Sequence, residues 1–103
     1  MPFYLLKIIT PLGKVFDGQV EAVVAPGAEG LFGILANHAA MAASLKEGIL
    51  KITQNQQDHY FSLGAGILEV DGCNSVLILA DYAFEGKNQN DTQNKIHGFT
   101  SHY

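Results

Sequence analysis

His59-Tyr60-Phe61-Ser62-Leu63-Gly64-Ala65-Gly66-Ile67-Leu68-Glu69-Val70-Asp71-Gly72-Cys73-Asn74-Ser75-Val76-Leu77-Ile78-Leu79-Ala80 is the stretch from which the fold class can be argued. Two runs of strand-forming residues, His59 to Leu63 and Ile67 to Val70, flank Gly64-Ala65-Gly66, where a bulge or sharp bend is expected. Asp71-Gly72 then signals a hairpin, and Ser75 to Ala80 supplies the returning strand. The runs Phe61 to Val70 and Val76 to Ala80 are apolar on both faces, which predicts central strands covered by a second sheet.

The same chemistry extends to both sides. Phe3 to Thr10 is apolar and β-branched, and Pro11-Leu12-Gly13-Lys14 reads as a turn. In Val15 to Ala25, period-two alternation puts Phe16, Gly18, Val20, Ala22 and Val24 on a core face and Asp17, Gln19 and Glu21 in water. Pro26-Gly27 closes that run, and Gly27 to Gly33 carries Leu31 and Phe32 in a glycine-rich loop. Ile49 to Thr53 is a short strand entered through Glu47-Gly48, and Asn55 to Asp58 is a polar connection. Only Asn37 to Leu45 has helical potential, with Asn37 placed as an N-cap. Short strands with turn signals every ~8 to 12 residues indicate an all-β sandwich or flattened barrel. Residues 1–85 form this domain. Residues 86–103 are polar, with Ile96, Phe99 and Tyr103 their sizeable apolar side chains, and are expected to be an irregular, mobile tail.

Composition narrows the function. The chain has 103 residues, enough for one domain, and 48% of them are hydrophobic. Its net charge is −4, and all six cations are lysines, scattered along the chain. Without arginine or a basic stripe, neither nucleic acid nor anionic lipid is an expected partner. No apolar run approaches the ~20 residues that span a bilayer, so membrane association is expected to come through a partner. Cys73 is alone, which excludes an internal disulfide.

Reactive motifs are equally scarce. Gly27-x-x-Gly30-x-x-Gly33 has the wrong spacing for a dinucleotide fingerprint, and Gly13-Lys14 and Gly86-Lys87 lack the rest of a phosphate loop. Ser62, His38 and Asp81 would form a triad only by arbitrary assembly, and Cys73 has no neighbouring base. His97 and His102 lack companion ligands for zinc. Glu69 and Asp71 share a face at a strand end, which reads as a solvated terminus. Neither a cofactor nor a metal is expected, and the chain does not read as an enzyme.

What stands out is Pro26-Gly27-Ala28-Glu29-Gly30-Leu31-Phe32-Gly33-Ile34-Leu35-Ala36-Asn37-His38-Ala39. Bulky apolar residues lie between glycines, either plugging the end of the sandwich or forming an exposed ridge that docks on a protein. This segment resembles the N-terminal domain of the epsilon subunit of F-type ATP synthases. The resemblance continues through Phe3 with Leu5 to Thr10, Phe16-Asp17-Gly18-x-Val20, Leu45-Lys46-x-Gly48, Gly64-x-Gly66-Ile67-Leu68-Glu69-Val70 and Val76-x-Ile78-Leu79-Ala80-Asp81.

The resemblance implies a flattened ten-stranded β-sandwich in the central stalk that binds the gamma subunit and the c-ring. It implies a non-catalytic rotor part, peripheral on the cytoplasmic face of a bacterial plasma membrane. By the same resemblance, Glu29, Leu31, Phe32, Asn37 and His38 face those partners. The alternative is an unrelated β-sandwich adaptor. Two departures are visible. Ala36 and Ala40 stand where the family often has proline, which predicts a less stiff loop. Gln93-Asn94-Lys95-Ile96-His97-Gly98 stands where many members begin an inhibitory helical hairpin, so neither ATP binding nor hairpin inhibition is expected.

Overall fold

In the computed structural model, which describes residues 2–86, every regular element is a strand. These are β1 (Tyr4–Thr10), β2 (Gly13–Val20), β3 (Ala22–Gly27), β4 (Gly30–Leu35), β5 (Met41–Leu45), β6 (Gly48–Gln54), β7 (Gln57–Leu63), β8 (Gly66–Val70), β9 (Ser75–Ala80) and β10 (Ala83–Gly86). The tail expected to be mobile lies, beyond Gly86, outside the described residues.

Hydrogen bonding runs β10-β7-β6-β3-β5-β8-β9-β1-β2, with β4 on the other side of β3. This ribbon folds over at the β3–β5 junction, where Gly27 pairs with Leu45. Two bonds continue the corner, Ala28 N–H to the Ser44 carbonyl (2.9 Å) and Lys46 N–H to the Pro26 carbonyl (2.9 Å). One layer is therefore β10-β7-β6-β3-β4 and the other β5-β8-β9-β1-β2. Glu21 N–H bonding the Thr53 carbonyl (2.8 Å) and Gln54 Nε2 bonding the Gln19 carbonyl (2.8 Å) tie the end of β2 to β6 of the other layer. The result is the expected all-β, ten-stranded flattened sandwich, nearly closed into a barrel.

The core lies between the inner faces. Leu6, Ile8, Val20, Leu68 and Ile78 from one layer meet Val23, Ile34, Leu50, Ile52 and Leu63 from the other. Burying a Leu, Ile or Val side chain contributes about 1.5–3 kcal/mol, so these contacts dominate stability. Phe16 leans edge-on against Phe61 across the opening, with centroids 6.2 Å apart at 83°.

Four expectations need correction. First, Asn37 to Leu45 is not helical: Asn37 has φ 65° and Met41–Leu45 is β5, its burial alternating with period two. A left-handed N-terminal residue and a small-residue strand zipped to β8 override the local propensity of Ala-Ala-Met-Ala-Ala. Second, Glu21 is buried. The chain breaks there between β2 and β3, the alternation changes phase, and Val23 and Ala25 point inward while Ala22 and Val24 are only half-buried. The Glu21 carboxylate accepts the Gln56 N–H (2.8 Å). It thereby caps the two-residue turn in which Asn55 and Gln56 take φ 53° and 64°. Third, the doubly apolar runs are covered on both faces at Phe61, Ser62 and Leu63, which are all buried, but on one face only in β8 and β9. Ile67 (51% exposed) and Leu79 (46%) pair with each other on the outside, and Leu79 pairs with Ile9 of β1. Fourth, Leu31 and Phe32 are not in a loop but in β4.

The Gly64-Ala65-Gly66 bend carries the chain from one layer to the other. Its ends are tied by Gly64 N–H to the Tyr82 carbonyl (3.0 Å) and Asp81 N–H to the Ala65 carbonyl (3.0 Å). A Cβ on Gly66 would lie 1.9 Å from the Leu79 carbonyl oxygen, whereas one on Gly33 meets nothing closer than 3.7 Å. Gly66→Ala is therefore expected to cost about 3 kcal/mol or more, or to abolish folding, because the obstacle is backbone. Gly33→Ala should shift stability by less than ~1 kcal/mol. Urea unfolding of the two variants decides this.

Candidate functional site

The glycine-punctuated segment folds as a hairpin, not a plug. Gly27 and Gly30 pair at the neck, leaving Ala28 and Glu29 exposed at the tip. Gly30 has φ 131°, a conformation side chains resist. Gly27 has a different need: a Cβ there would sit 2.8 Å from the Phe32 ring, which lies across it.

Alternation then sorts the apolar residues. Phe32 and Ile34 turn inward, Phe32 half-buried against the core and Ile34 fully buried. Leu31 (72% exposed) and Leu35 (67%) point outward, with Gly33 between them. They form an exposed apolar ridge along β4. Beside it, a shallow open concavity of about 540 Å³ separates the hairpin tip from the outward side of Ala42, Ala43 and Ser44 on β5.

The ridge is anchored from within. The Tyr4 hydroxyl donates to the Ile34 carbonyl at 2.6 Å. Burial pushes that phenol well above its ordinary pKa, so it stays a donor across the working range of pH.

Beyond Leu35 the chain turns at Asn37 and His38 before entering β5. Asn37 is exposed, and its N–H bonds Asn74 Oδ1 at 2.8 Å. His38 is half-buried, with Nδ1 2.7 Å from the Ala39 carbonyl oxygen. Because a carbonyl can only accept, the proton sits on Nδ1, leaving Nε2 as an acceptor in the neutral ring.

The five residues singled out in the sequence thus do not converge on one point. Glu29, Leu31 and Phe32 lie at the hairpin end, whereas Asn37 and His38 lie past the other end of β4. Leu35 continues the ridge between the two groups, and the sequence reading did not place it in the site. Its signal was the alternation Leu31-x-Gly33-x-Leu35, obscured by treating the segment as a loop. Asn74, close in space to Asn37 and remote in sequence, had no such signal.

The arrangement offers no reactive centre that can be assembled from its hydrogen bonds. The Ser62 hydroxyl is buried and donates to the Phe84 carbonyl (3.3 Å), and His38 is engaged with its own loop. Among the described residues no group of three or more His, Cys, Asp or Glu could hold a metal, and no helix is long and apolar enough to cross a membrane. Asp71 Oδ1 accepts the N–H groups of Cys73 (2.6 Å) and Ser75 (3.2 Å), as a turn-capping carboxylate does.

Comparison with known proteins gives this arrangement a context. The family described as "ATP synthase, Delta/Epsilon chain, beta-sandwich domain" matches residues 4–86. The chain belongs to this family. The ATP synthase epsilon chain of Campylobacter curvus is 38% identical over 94 residues, 88% of this chain and 72% of the relative. That of Campylobacter jejuni subsp. doylei is 43% identical over 67 residues, 64% of this chain and 52% of the relative. The chain therefore spans between about half and three quarters of these relatives. Among solved structures, the fold matches a chain of the Euglena gracilis mitochondrial ATP synthase OSCP/F1/c-ring assembly (TM-score 0.77, 22% identity, 82% of this chain and 55% of the other). It also matches a chain of the Tetrahymena thermophila ATP synthase central stalk and c-ring (TM-score 0.66, 23% identity, 78% and 64%). Epsilon chains are non-catalytic subunits of ATP synthase.

Two expectations follow for the epsilon-type hairpin. Tyr4→Phe strands the buried Ile34 carbonyl and should cost about 1–3 kcal/mol, read as a lower urea midpoint with an unchanged slope. Leu31→Asp should leave stability within about 0.5 kcal/mol, while Phe32→Asp, which drives a carboxylate against the core, should cost about 1–3 kcal/mol.

Proposed function

We propose that this chain is the epsilon-type, non-catalytic subunit of an F-type, proton-translocating ATP synthase, docking on the gamma subunit and the c-ring in the central stalk. In that role it couples proton flow to ATP synthesis as a rigid connector, on the cytoplasmic face of a bacterial plasma membrane. The family match over residues 4–86 carries the reading. The exposed Leu31–Leu35 ridge supplies the physical means, since bulky aliphatic side chains kept in water gain by being covered.

Rotary coupling demands a body that does not deform under load. A sandwich whose strands are hydrogen-bonded in one continuous ribbon, with a close-packed interior, meets that demand. Glu29 at the hairpin tip is placed to meet polar loops, and the ridge to meet an apolar face. Asn37 and His38 extend the same contact line at its far end.

The test is co-purification with gamma and with a gamma–c-ring subcomplex. The wild-type chain should be retained, and Leu31→Asp/Leu35→Asp should lose retention by at least about tenfold while its melting temperature stays within ~3 °C of wild type. A wild-type chain that fails to hold gamma would leave the unrelated-adaptor reading. A double variant that binds normally would remove the ridge from the interface.

A further inference from the structure

The turn between β8 and β9 reaches across to the segment that links β4 to β5, and one side chain joins them. Asn74 Oδ1 accepts the Asn37 N–H (2.8 Å), and Asn74 Nδ2 donates to the Phe3 carbonyl (2.6 Å). Its own carbonyl accepts the Leu5 N–H (3.1 Å). One residue therefore holds the start of β1, the β8–β9 turn and the 36–40 segment in fixed relation.

The residue type is tightly specified. Asn74 has φ 65°, where asparagine and glycine are tolerated and most side chains are strained. It must also accept on one carboxamide atom and donate from the other. Aspartate can only accept in its ionised form, glycine offers neither group, and glutamine is a methylene too long for the same turn. A second contact lies beside it: Gly72 has φ 80°, and a Cβ there would approach Ala40 to 3.2 Å.

We infer that Asn74 is the positioning residue of the contact line, holding Asn37 and His38 in the geometry from which they dock. This inference rests on the docking role proposed above. The segment needs such a device because it is bounded by ladders at both ends, Ala22↔Leu35 before it and Met41↔Val70 after it, and is irregular in between. Ala36 and Ala40 impose no φ restriction of the kind proline would. A loop that must be ordered at the moment of binding weakens the complex, and one ordered beforehand does not.

Hydrogen exchange on the full-length chain separates the tether from the docking. In Asn74→Gly, which keeps the backbone conformation and loses both side-chain bonds, the Asn37 amide should exchange at least about tenfold faster. The β1 and β9 core amides of Ile8 and Ile78 should stay as protected as in wild type. Affinity for gamma should fall by about tenfold. Asn74→Asp retains the acceptor for Asn37 but sets its second oxygen against the Phe3 carbonyl, so protection and affinity should both fall between those of wild type and Asn74→Gly. Leu31→Asp should lose affinity with no change at the Asn37 amide. Unchanged exchange at Asn37 in Asn74→Gly overturns the tether. Faster exchange with undiminished affinity overturns its role in docking. Failure of the wild type to bind gamma overturns the docking reading itself, and the exchange data still decide whether the tether exists.

Discussion

Burial of two aliphatic faces against each other is the constraint on which the molecule depends. Leu6, Ile8, Leu68 and Ile78 have no water contact because Leu50, Ile52 and Leu63 lie opposite them, and every polar group trapped at that boundary must then find a partner. Tyr4 shows how strict this is. Its ring belongs to the core, but its hydroxyl would be costly there without the Ile34 carbonyl, and that bond fixes how β4 lies on the edge of its layer. Glu21 obeys the same rule at the opposite boundary, where its carboxylate is matched to the Gln56 N–H. No buried side-chain nitrogen or oxygen is left without a partner among the described residues. The ridge on β4 is thus a by-product of interior accounting: once Ile34 and Phe32 are drawn in, Leu31 and Leu35 are forced out.

Much of this was legible in the sequence, for definable reasons. Strand existence followed from β-branched runs and from turn chemistry that admits few alternatives, as at Asp71-Gly72 and Gly64-Ala65-Gly66. The hairpin at Asp71 formed as expected, with its loop taking in Gly72, Cys73 and Asn74 before Ser75 resumes the ladder. Layer assignment was harder. Period two carries the correct alternation only while a strand stays in one layer, and the break at Glu21 reversed it for Ala22 to Ala25. Nothing local marks such a break, because the group that receives the Glu21 carboxylate, the Gln56 N–H, is 35 residues away. Two-sided apolarity misled in the other direction. Ile67 and Leu79 look like core residues in sequence, yet no second layer covers their outer face among the described residues.

The residues proposed for contact were legible to the extent that they share one segment. The motif around Gly27 to Ala39 drew attention to Glu29, Leu31, Phe32, Asn37 and His38, but secondary structure decides which of them face outward. Phe32 is more than half a core residue, while Leu35 is as exposed as Leu31. Asn74 illustrates the limit of reading along the chain: its importance comes from three backbone groups, at Phe3, Leu5 and Asn37, that only the fold brings within reach.

Four of the nine strand pairings join consecutive strands, and the most distant in sequence sets β1 parallel to β9, Leu5 beside Ser75 and Ile9 beside Leu79. A newly made chain emerging from the ribosome therefore presents Leu6 and Ile8 long before their permanent neighbours exist. Closure of so distant a pairing is entropically slow, and until it happens the first strand has a naked edge that another nascent polypeptide could capture. Lys7, set among these aliphatic residues, gives that waiting strand a charge with which to resist premature association.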